Sequence, residues 1–293
     1  MLILDSALQD ALVPDDRPGR VLVRRPGPRL AEGLVTHIDR QSVDVDLAMA
    51  QWDGYVSAFR ASGWPVIEVE PADDCPDAPF VEDTVVIAGD LAVIARPGAQ
   101  ARRAETAGTA SAVGSLGLEI AAITRPGTLD GGDVLKLGPT WFVGIGARTN
   151  DEGIRQLTSL VAAHGIKVVP VPISGVLHLK TAITALPDGT LLANIPAIGR
   201  PDLLPPLTNA PDSGPWRMIL LGQNRMLLST SAPRTAELLA DRGYAPVLVD
   251  ISELEKLECS VTCLSVRLRG GHPILDARRN PDLTENVFGQ PVE

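Results

Sequence analysis

The amino-acid sequence predicts an α/β fold in which about five similar ββαβ units surround a common centre. Three observations lead to this prediction. Hairpin patterns recur along the chain, most of them are followed by a helical pattern and a further strand, and both ends carry strands. The chain has 293 residues, of which 45% are hydrophobic, so it can build a sizeable core. The alternative arrangement is an ordinary open α/β sheet.

The recurring hairpin pattern is a short apolar strand, a tight turn and a second apolar strand. Glycine and polar residues of the kind that favour hairpin loops stand at each turn. The four patterns cover residues 84–98, 133–150, 182–196 and 217–235, with turn pairs Gly89-Asp90, Gly138-Pro139, Asp188-Gly189 and Gly222-Gln223.

Helical patterns follow three of the four hairpins, and each leads into one more strand. The predicted helices cover residues 100–116, 149–164 and 233–242. Thr149 and Ser231 are residue types that favour a helix start, and Gly165 and Gly243 stand where C-caps belong. The third hairpin is followed by the Pro-rich segment 196–216, which we predict to be a loop.

The two ends of the chain complete the arrangement. The N-terminal third contains a strand at "RVLVRR", a helical pattern over 43–62 and a strand at "PVIEVE". The C-terminal segment "VTCLSVRL" is predicted to be a strand that pairs with the first one. Since repeated units place their strand ends near one centre, polar residues scattered along the sequence can reach a single site.

Charge and composition exclude several classes of partner. The net charge of −10 and the aromatic content of 3% argue against nucleic acid, because phosphate binding needs basic patches and base stacking needs aromatic side chains. No apolar run reaches the roughly 18 residues of a membrane span, and the N-terminus lacks the cationic start of a signal peptide. Three cysteines are too few for a disulfide framework, so we expect free thiols and a cytoplasmic location.

Acidic residues stand next to two predicted strands. Glu82 and Asp83 come immediately before one strand, and Asp77 lies a short loop earlier. Asp130 precedes a glycine pair, which permits the close approach of a ligand or of another backbone segment. Solvated loop carboxylates and a plain glycine-rich turn are the alternative interpretations of these residues.

One histidine and two arginines are further candidates. His178 stands in an apolar segment that we interpret as a strand starting the third hairpin. It is either a structural residue or a general acid and base, since its unperturbed pKa is roughly 6.5. Arg102 and Arg148 each follow the second strand of a hairpin, and the planar guanidinium suits a carboxylate ligand. Taken alone, each arginine is more typical of a surface position.

Two of the three cysteines, Cys259 and Cys263, lie four positions apart near the C-terminus. This spacing rules out a C-x-x-C redox motif, and the paired ligands typical of zinc sites are absent. Four residues along a strand span roughly 13 Å, so a disulfide would require a turn between the two. One nucleophile or two buried structural thiols remain as interpretations.

Six segments, taken in order, resemble the dimethylarginine dimethylaminohydrolases, a family of guanidine-modifying (pentein) enzymes. They are "FVEDTVV", "ARPGAQARRAE", "TLDGGDVL", "GARTNDEG", "VLHLKTAI" and "VTCLSVR". The resemblance implies a five-bladed β/α propeller with pseudo-fivefold ββαβ repeats around a central active site. It also implies one such domain over residues 19–293, with residues 1–18 as an N-terminal extension.

The resemblance implies a role for each candidate residue. Cys263 matches the nucleophile, His178 the catalytic histidine and Asp130 its acidic partner. The matching substrate-binding residues are Asp83 and the neighbouring Glu82 at the guanidinium, Arg102 and Arg148 at the α-carboxylate, Asp77 near the α-amino group, and Leu30 in a loop that closes over the site. Cys259 stands where the family usually has glycine, and its thiol is expected to be dispensable.

The implied reaction is hydrolysis of N-omega-methylated arginine, either asymmetric dimethylarginine or monomethylarginine. It yields citrulline and dimethylamine or methylamine through an S-alkylthiouronium intermediate on Cys263. No metal or other cofactor is expected, the partner is a small guanidino substrate, and the chain is expected to be a monomer or homodimer. The alternatives are an arginine deiminase, another guanidino hydrolase or an amidinotransferase with the same site, and an inactive arginine-binding homologue.

Overall fold

The computed structural model describes residues 19–269, which form five small sheets of three strands each. The first sheet combines β1 (Arg20–Val23) and β2 (Val66–Glu68) with the C-terminal strand β15 (Val266–Leu268). The other sheets are β3 (Val85–Ala88), β4 (Leu91–Ile94) and β5 (Glu119–Ala122); β6 (Val134–Leu137), β7 (Thr140–Ile145) and β8 (Lys167–Pro172); β9 (Ile183–Ala185), β10 (Leu191–Ala193) and β11 (Leu207–Asn209); β12 (Met218–Gly222), β13 (Arg225–Ser229) and β14 (Ala245–Val249). The predicted extension 1–18 and residues 270–293 lie outside the described residues.

All five sheets share one pairing pattern. The middle strand is antiparallel to the first strand and parallel to the third. In the first sheet, the strand antiparallel to the middle strand is β15, whose Leu268 pairs with Arg20 of β1. The predicted pairing of the two ends is therefore confirmed, and it closes the ring of units.

The first strands of the five sheets surround one cavity of about 500 Å³, which we call the axial channel. Its walls are lined by residues of β3, β6, β9, β12 and β15. One strand from each unit thus faces the same space, as expected for a five-bladed propeller.

Helices connect the middle strand to its parallel neighbour in four of the five units. The helices are α1 (Val45–Ala61), α2 (Thr106–Ser115), α3 (Asp151–Val161), α4 (Leu179–Ala182), α5 (Pro233–Asp241) and α6 (Ser252–Glu255). The connecting helices are α1, α2, α3 and α5, and they match the predicted helical patterns closely. No helix within residues 19–269 is long and apolar enough to cross a membrane.

The unit containing β9 differs from its neighbours in the connection that follows its middle strand. Residues 196–216, predicted to be a loop throughout, contain β11, which pairs in parallel with β10. Two short 3-10 turns replace the connecting helix. Proline lacks the backbone N–H that a helix interior needs, so this segment supports a third strand but no helix.

Several local predictions were wrong in detail. Asn150, rather than Thr149, caps α3 by accepting a hydrogen bond from Gly153 N at 2.8 Å. The start of α5 has no side-chain cap, and Ser231 instead donates to Glu255. The fourth turn is shifted by one residue, since Gly222 pairs with Arg225 across the hairpin.

The segments around two candidate residues also differ from the predicted strands. His178 is an extended residue that precedes the short helix α4, not a strand residue. Residues 261–264 form a turn, and β15 starts only at Val266. Both side chains are therefore placed by turns before a strand, where the backbone can aim them away from the sheet.

Candidate active site

Three charged side chains from successive units meet beside the axial channel. Asp83, Asp130 and His178 all precede the first strand of their unit. His178 Nε2 lies 3.0 Å from Asp130 Oδ2 and 3.8 Å from Asp83 Oδ1, and all three side chains are buried. Equivalent positions in repeated units thus bring residues from distant parts of the chain into one cluster.

The imidazole of His178 is held in its charged form by this cluster. Burial alone would lower the pKa of His178, but the charges of Asp83, Asp130 and Asp133 and the hydrogen bond to Asp130 outweigh it. Together they raise the pKa of His178 to about 10. The pKa of Asp83 is held well below its usual range, because His178 and Arg102 outweigh the effect of burial. The His178 imidazolium and the ionised Asp83 carboxylate therefore coexist at neutral pH.

The absence of a side chain at Gly132 provides the space that this cluster occupies. A Cβ atom on Gly132 would lie 2.6 Å from both Asp83 Oδ1 and His178 Nδ1. Its backbone N–H donates to Asp83 Oδ1 at 2.9 Å. The glycine of the "LDGGD" segment is thus required by close approach of the catalytic candidates to the backbone.

Cys263 enters from the turn at 261–264 in the first sheet. Its backbone N–H donates to Ser260 O at 3.0 Å, and its carbonyl accepts from Glu82 N at 3.1 Å. The second bond ties the turn to the acidic segment that carries Asp83. The Cys263 side chain is partly exposed, unlike the buried Cys259.

The same turn brings the two cysteine side chains together. A hydrogen bond from Cys259 is the main cause that lowers the pKa of Cys263 to about 6, against burial and the charges of Glu82 and Asp83. Burial and the neighbouring Cys263 raise the pKa of Cys259 well above its ordinary value. Cys259 therefore stays a thiol, whose Sγ donates to Ser260 O at 3.2 Å, and Cys263 is a thiolate at neutral pH.

Arginine side chains neutralise the two carboxylates. Arg102 Nη1 donates to Asp83 Oδ2 at 2.6 Å, and Arg102 Nη2 donates to Glu105 Oε2 at 2.8 Å. Arg148 Nη1 lies 3.5 Å from Asp130 Oδ2. Both arginines are buried, so the predicted surface alternative does not apply to either.

Asp77 faces the two arginines from a loop. Burial raises the pKa of Asp77, and the charges of Arg102 and Arg148 oppose this shift. Its carboxylate accepts a hydrogen bond from Leu34 N at 3.1 Å. Two cationic groups and one carboxylate thus occupy one region, the charge pattern that complements the head of an α-amino acid.

Glu82 points away from the cluster and lines the axial channel. Its carboxylate lies 2.8 Å from Lys180 Nζ and 2.9 Å from Arg267 Nη2. The acidic pair is thereby divided, since Asp83 joins the cluster while Glu82 is paired with cations in the channel. The predicted contact between Glu82 and a guanidinium stays a prediction.

Leu30 lies in a 3-10 turn, Leu30–Glu32, and is fully buried in the core beside α1. The chain that follows this turn reaches the site, because Leu34 N bonds Asp77. The predicted role of this loop in closing over a ligand stays a prediction.

Asp83, Asp130 and His178 also offer one ligand atom each within 4.8 Å of one another, an arrangement that could hold a metal ion. The two carboxylates already face Arg102 and Arg148, and His178 adds a third positive charge. A further divalent cation would be repelled by these groups. The charges therefore favour a proton-transfer cluster over a metal centre.

No protein-family profile matches the chain. A curated N(G),N(G)-dimethylarginine dimethylaminohydrolase from Streptomyces coelicolor is 58% identical over 250 residues, which cover 85% of this chain and 97% of that protein. The chain belongs to the dimethylarginine dimethylaminohydrolase family. A relative of the same name from Pseudomonas aeruginosa is 32% identical over 251 residues, covering 84% of this chain and 98% of the relative.

Solved structures of the family share the architecture. A mutant of the Pseudomonas aeruginosa enzyme, complexed with citrulline, has a TM-score of 0.79 and 30% identity to this chain. The match covers 86% of this chain and 100% of the other. The family and the propeller fold that the six segments imply are therefore confirmed.

Three buried residues near the site received no role from the sequence. Glu105 pairs with Arg102, and the i,i+3 spacing of the two in "ARRAE" is the signal that could have found it. Asp133 accepts from Thr149 Oγ1 at 2.6 Å and from Leu179 N at 2.9 Å, which anchors the residue after His178. Burial raises the pKa of Asp133 to about 6, with His178 opposing the shift.

Arg217 is the third such residue, and it occupies the position before β12 that corresponds to the other site residues. It is buried and donates to Thr181 O and Gly214 O, while its Nε–H has no hydrogen-bond partner among residues 19–269. Burial lowers the pKa of Arg217, and the nearby Cys263 and Cys259 oppose this shift. All five units therefore contribute a polar residue at the equivalent position.

Proposed function

We propose that this chain hydrolyses N-omega-methylated arginines to citrulline and methylamine or dimethylamine. Its relatives carry the name of that activity, over nearly their whole length. The observation that carries the proposal is the buried His178 imidazolium held by Asp130, together with a Cys263 thiolate that senses the charge of Asp83 from the same cluster. These are the nucleophile and the acid that cleavage of a C–N bond in a guanidinium requires.

Recognition of the substrate follows from the charges around the cluster. A guanidinium stays positively charged, so it needs buried carboxylates, and Asp83 is the ionised carboxylate whose charge acts on the pKa of both Cys263 and His178. Arg102 and Arg148 are proposed to hold the α-carboxylate, and Asp77 the α-ammonium group. Arg102 also donates a hydrogen bond to Asp83, so it helps to position the carboxylate that binds the guanidinium of the substrate.

The first half of the proposed reaction forms the covalent intermediate. The Cys263 thiolate attacks the central guanidinium carbon, and a C–S bond forms. His178 donates its proton to the methylated nitrogen, the C–N bond breaks, and the amine departs. Asp130 keeps the imidazole oriented during this transfer, since it bonds His178 Nε2.

The second half releases citrulline. The neutral His178 accepts a proton from a water molecule, whose oxygen attacks the thiouronium carbon. The C–S bond then breaks and its electron pair returns to Cys263, which restores the thiolate, while the new C–OH group gives its proton to the solvent and becomes the carbonyl of citrulline. Asp83 and Asp130 stabilise the imidazolium that re-forms.

The test is citrulline release from asymmetric dimethylarginine, monomethylarginine and arginine, measured for the wild type, Cys263→Ser and Cys75→Ser. Cys75 is a buried free cysteine outside the cluster and serves as the matched control. We expect activity on the methylated substrates, none in Cys263→Ser and wild-type activity in Cys75→Ser. Release from arginine alone would favour a deiminase, and silence on all three substrates would reject the proposal.

The location and assembly are proposed separately. A cytoplasmic location is supported by three free thiols, including the thiolate at Cys263. A monomer or homodimer is the expected assembly, and light scattering of the purified chain measures it directly.

A further inference from the structure

The axial channel lies behind the candidate active site. Its lining includes Glu82, Gly131 and Thr262, which are the sequence neighbours of Asp83, Asp130 and Cys263. The channel has about 500 Å³ of space, against about 30 Å³ for one water molecule in the liquid. It is therefore a separate compartment with room for several water molecules or a small ion, and the proposed reaction does not use it.

The charges that line this channel are unbalanced. Among the described lining residues, the cations are Lys136, Lys180, Arg267 and Arg269, and the one carboxylate is Glu82. Lys180 and Arg267 share that carboxylate, at 2.8 and 2.9 Å from its Oε1 atom. A channel whose lining carries more cations than anions has a positive potential that attracts small anions.

Lys136 differs from Lys180 and Arg267 because its ammonium group contacts a backbone carbonyl and an aromatic ring instead of Glu82. Its Nζ donates to Ile87 O at 2.6 Å and lies 4.8 Å from the centre of the Trp141 ring. Within residues 19–269 it pairs with no carboxylate. The side chain is exposed, and it lines the channel.

The electrostatics of Lys136 agree with this geometry. Burial within the surrounding protein lowers the pKa of Lys136 to about 7, and the charges of Lys180 and Arg267 contribute, with Glu82 opposing. A purely structural lysine would explain the Ile87 bond and the Trp141 contact. Glu82 holds two further cations, Lys180 on α4 and Arg267 on β15, in the same space, and their two positive charges exceed the single charge of that carboxylate.

We propose that the axial channel binds a small divalent oxyanion, of the size and charge of sulfate or phosphate, with Lys136 as its principal ligand. Lys180 and Arg267 contribute the positive charge at the inner end of the channel. The anion offers acceptors to the ammonium hydrogens of Lys136 that Ile87 O does not use. This site lies outside the substrate cluster and does not depend on the proposed reaction.

Sulfate is the suitable probe, because it keeps two negative charges between pH 6 and pH 9, where phosphate would titrate. Isothermal titration of the wild type with sodium sulfate, at constant ionic strength, measures the affinity at several pH values. We expect binding at pH 6 that weakens as pH rises through the pKa of Lys136, since the neutral amine no longer attracts the anion. Sulfate binding at pH 7 should be accompanied by proton uptake.

Two variants locate the binding. Lys136→Met retains the length of the side chain without its charge, and we expect at least about tenfold weaker sulfate binding. Lys167→Met is the matched control, because Lys167 is an exposed lysine on the third strand β8 and lines no part of the channel. It should bind sulfate as the wild type does.

Tryptophan fluorescence can detect sulfate binding beside Lys136, because Trp141 lies next to its ammonium group. Sulfate should change the emission of Trp141 by altering the ammonium over its ring, and Trp141→Phe should lose this change while the titration heat remains. Lys136→Met should keep its thermal unfolding temperature without sulfate and its citrulline release, which separates this proposal from the proposed function. Absence of sulfate binding in the wild type, or equal binding in Lys136→Met, would overturn the proposal.

Discussion

Cys259 and Cys263 share one turn of the chain, in which Cys259 Sγ donates to Ser260 O at 3.2 Å and Ser260 Oγ lies 3.6 Å from Cys263 Sγ. The sequence treats the pair as strand residues roughly 13 Å apart, and the turn at 261–264 removes that separation. The neighbouring Cys259 thiol is the main cause that lowers the pKa of Cys263 to about 6, and the expectation that this thiol is dispensable stays a prediction.

The Cys259→Ala variant tests this contact. Removing the Cys259 thiol should raise the pKa of Cys263 above about 6, so that kcat/KM falls at pH 6 and stays nearly unchanged at pH 9. A shift of one unit corresponds to about tenfold less thiolate at acidic pH. The measurement is the pH dependence of kcat/KM and of alkylation by iodoacetamide. An acidic limb that coincides with that of the wild type would show that the contact has no effect on ionisation.

The wild-type pH profile follows from the two catalytic candidates. Activity should rise as pH passes about 6, where Cys263 loses its proton, and fall as pH passes about 10, where His178 loses its own. Asp130→Asn removes the charged acceptor from His178 and should lower its pKa, so the alkaline limb moves to lower pH. If the alkaline limb of Asp130→Asn coincides with that of the wild type, a group other than His178 causes the loss of activity at high pH.

The two substrate arginines should respond differently to alanine. Arg148→Ala should raise KM for methylated arginine by about tenfold to hundredfold, because charge-assisted hydrogen bonds to the α-carboxylate are lost. Arg102→Ala should raise KM as well and also lower kcat, because Arg102 bonds Asp83. Steady-state kinetics with N-methylated agmatine, which lacks the carboxylate, serve as the control. Equal increases in KM for methylated arginine and for N-methylated agmatine would show that the substrate α-carboxylate binds elsewhere.

Arg217 should contribute to the thiolate through its charge. Arg217→Met keeps the volume of the side chain and removes a buried cation near Cys263 and Cys259. We expect a higher pKa for Cys263 and slower iodoacetamide alkylation at pH 6. If alkylation rates match the wild type while thermal stability falls, Arg217 only supports the unit that contains β12.

Gly132→Ala should damage the site through packing alone. The new methyl group would overlap Asp83 Oδ1 and His178 Nδ1, so we expect a loss of about 1–3 kcal/mol in the free energy of unfolding and a lower kcat. Gly54→Ala is the matched control, since no atom of the described part of the chain lies within 4 Å of its Cβ position in α1. That change should be neutral or stabilise the helix by about 0.5–1 kcal/mol. Urea unfolding of both variants makes the comparison, and equal stability of the two would contradict the crowding at Gly132.

Much of the fold could be predicted because its signals are local. Alternating apolar residues and turn residues such as Gly89 and Gly138 specify hairpins without any distant contact. The closure of β1 on β15 followed from the count of units. In contrast, β11 escaped prediction, because its three residues are strand-forming only through pairing with β10.

The sequence predicted which residues form the candidate site, but not the contacts between their side chains. Asp83, Asp130 and His178 stand before the first strands of their units, a placement that the repeat made visible. The bonds that tune them join residues far apart in sequence, such as the 3.0 Å contact of His178 with Asp130. Glu105 and Arg217 were missed because a single charged residue looks the same in a sequence whether it is buried or solvated.

The amino-acid order specifies the repeated units, their closure and the residue types brought to the centre, because hydrophobic periodicity and turn chemistry act over a few neighbouring residues. The tertiary structure decides which of those residues touch, which are ionised and where the axial channel concentrates positive charge. Burial and charge–charge interactions depend on distance in space, and a distance such as that from Glu82 to Arg267 exists only once the five units have closed.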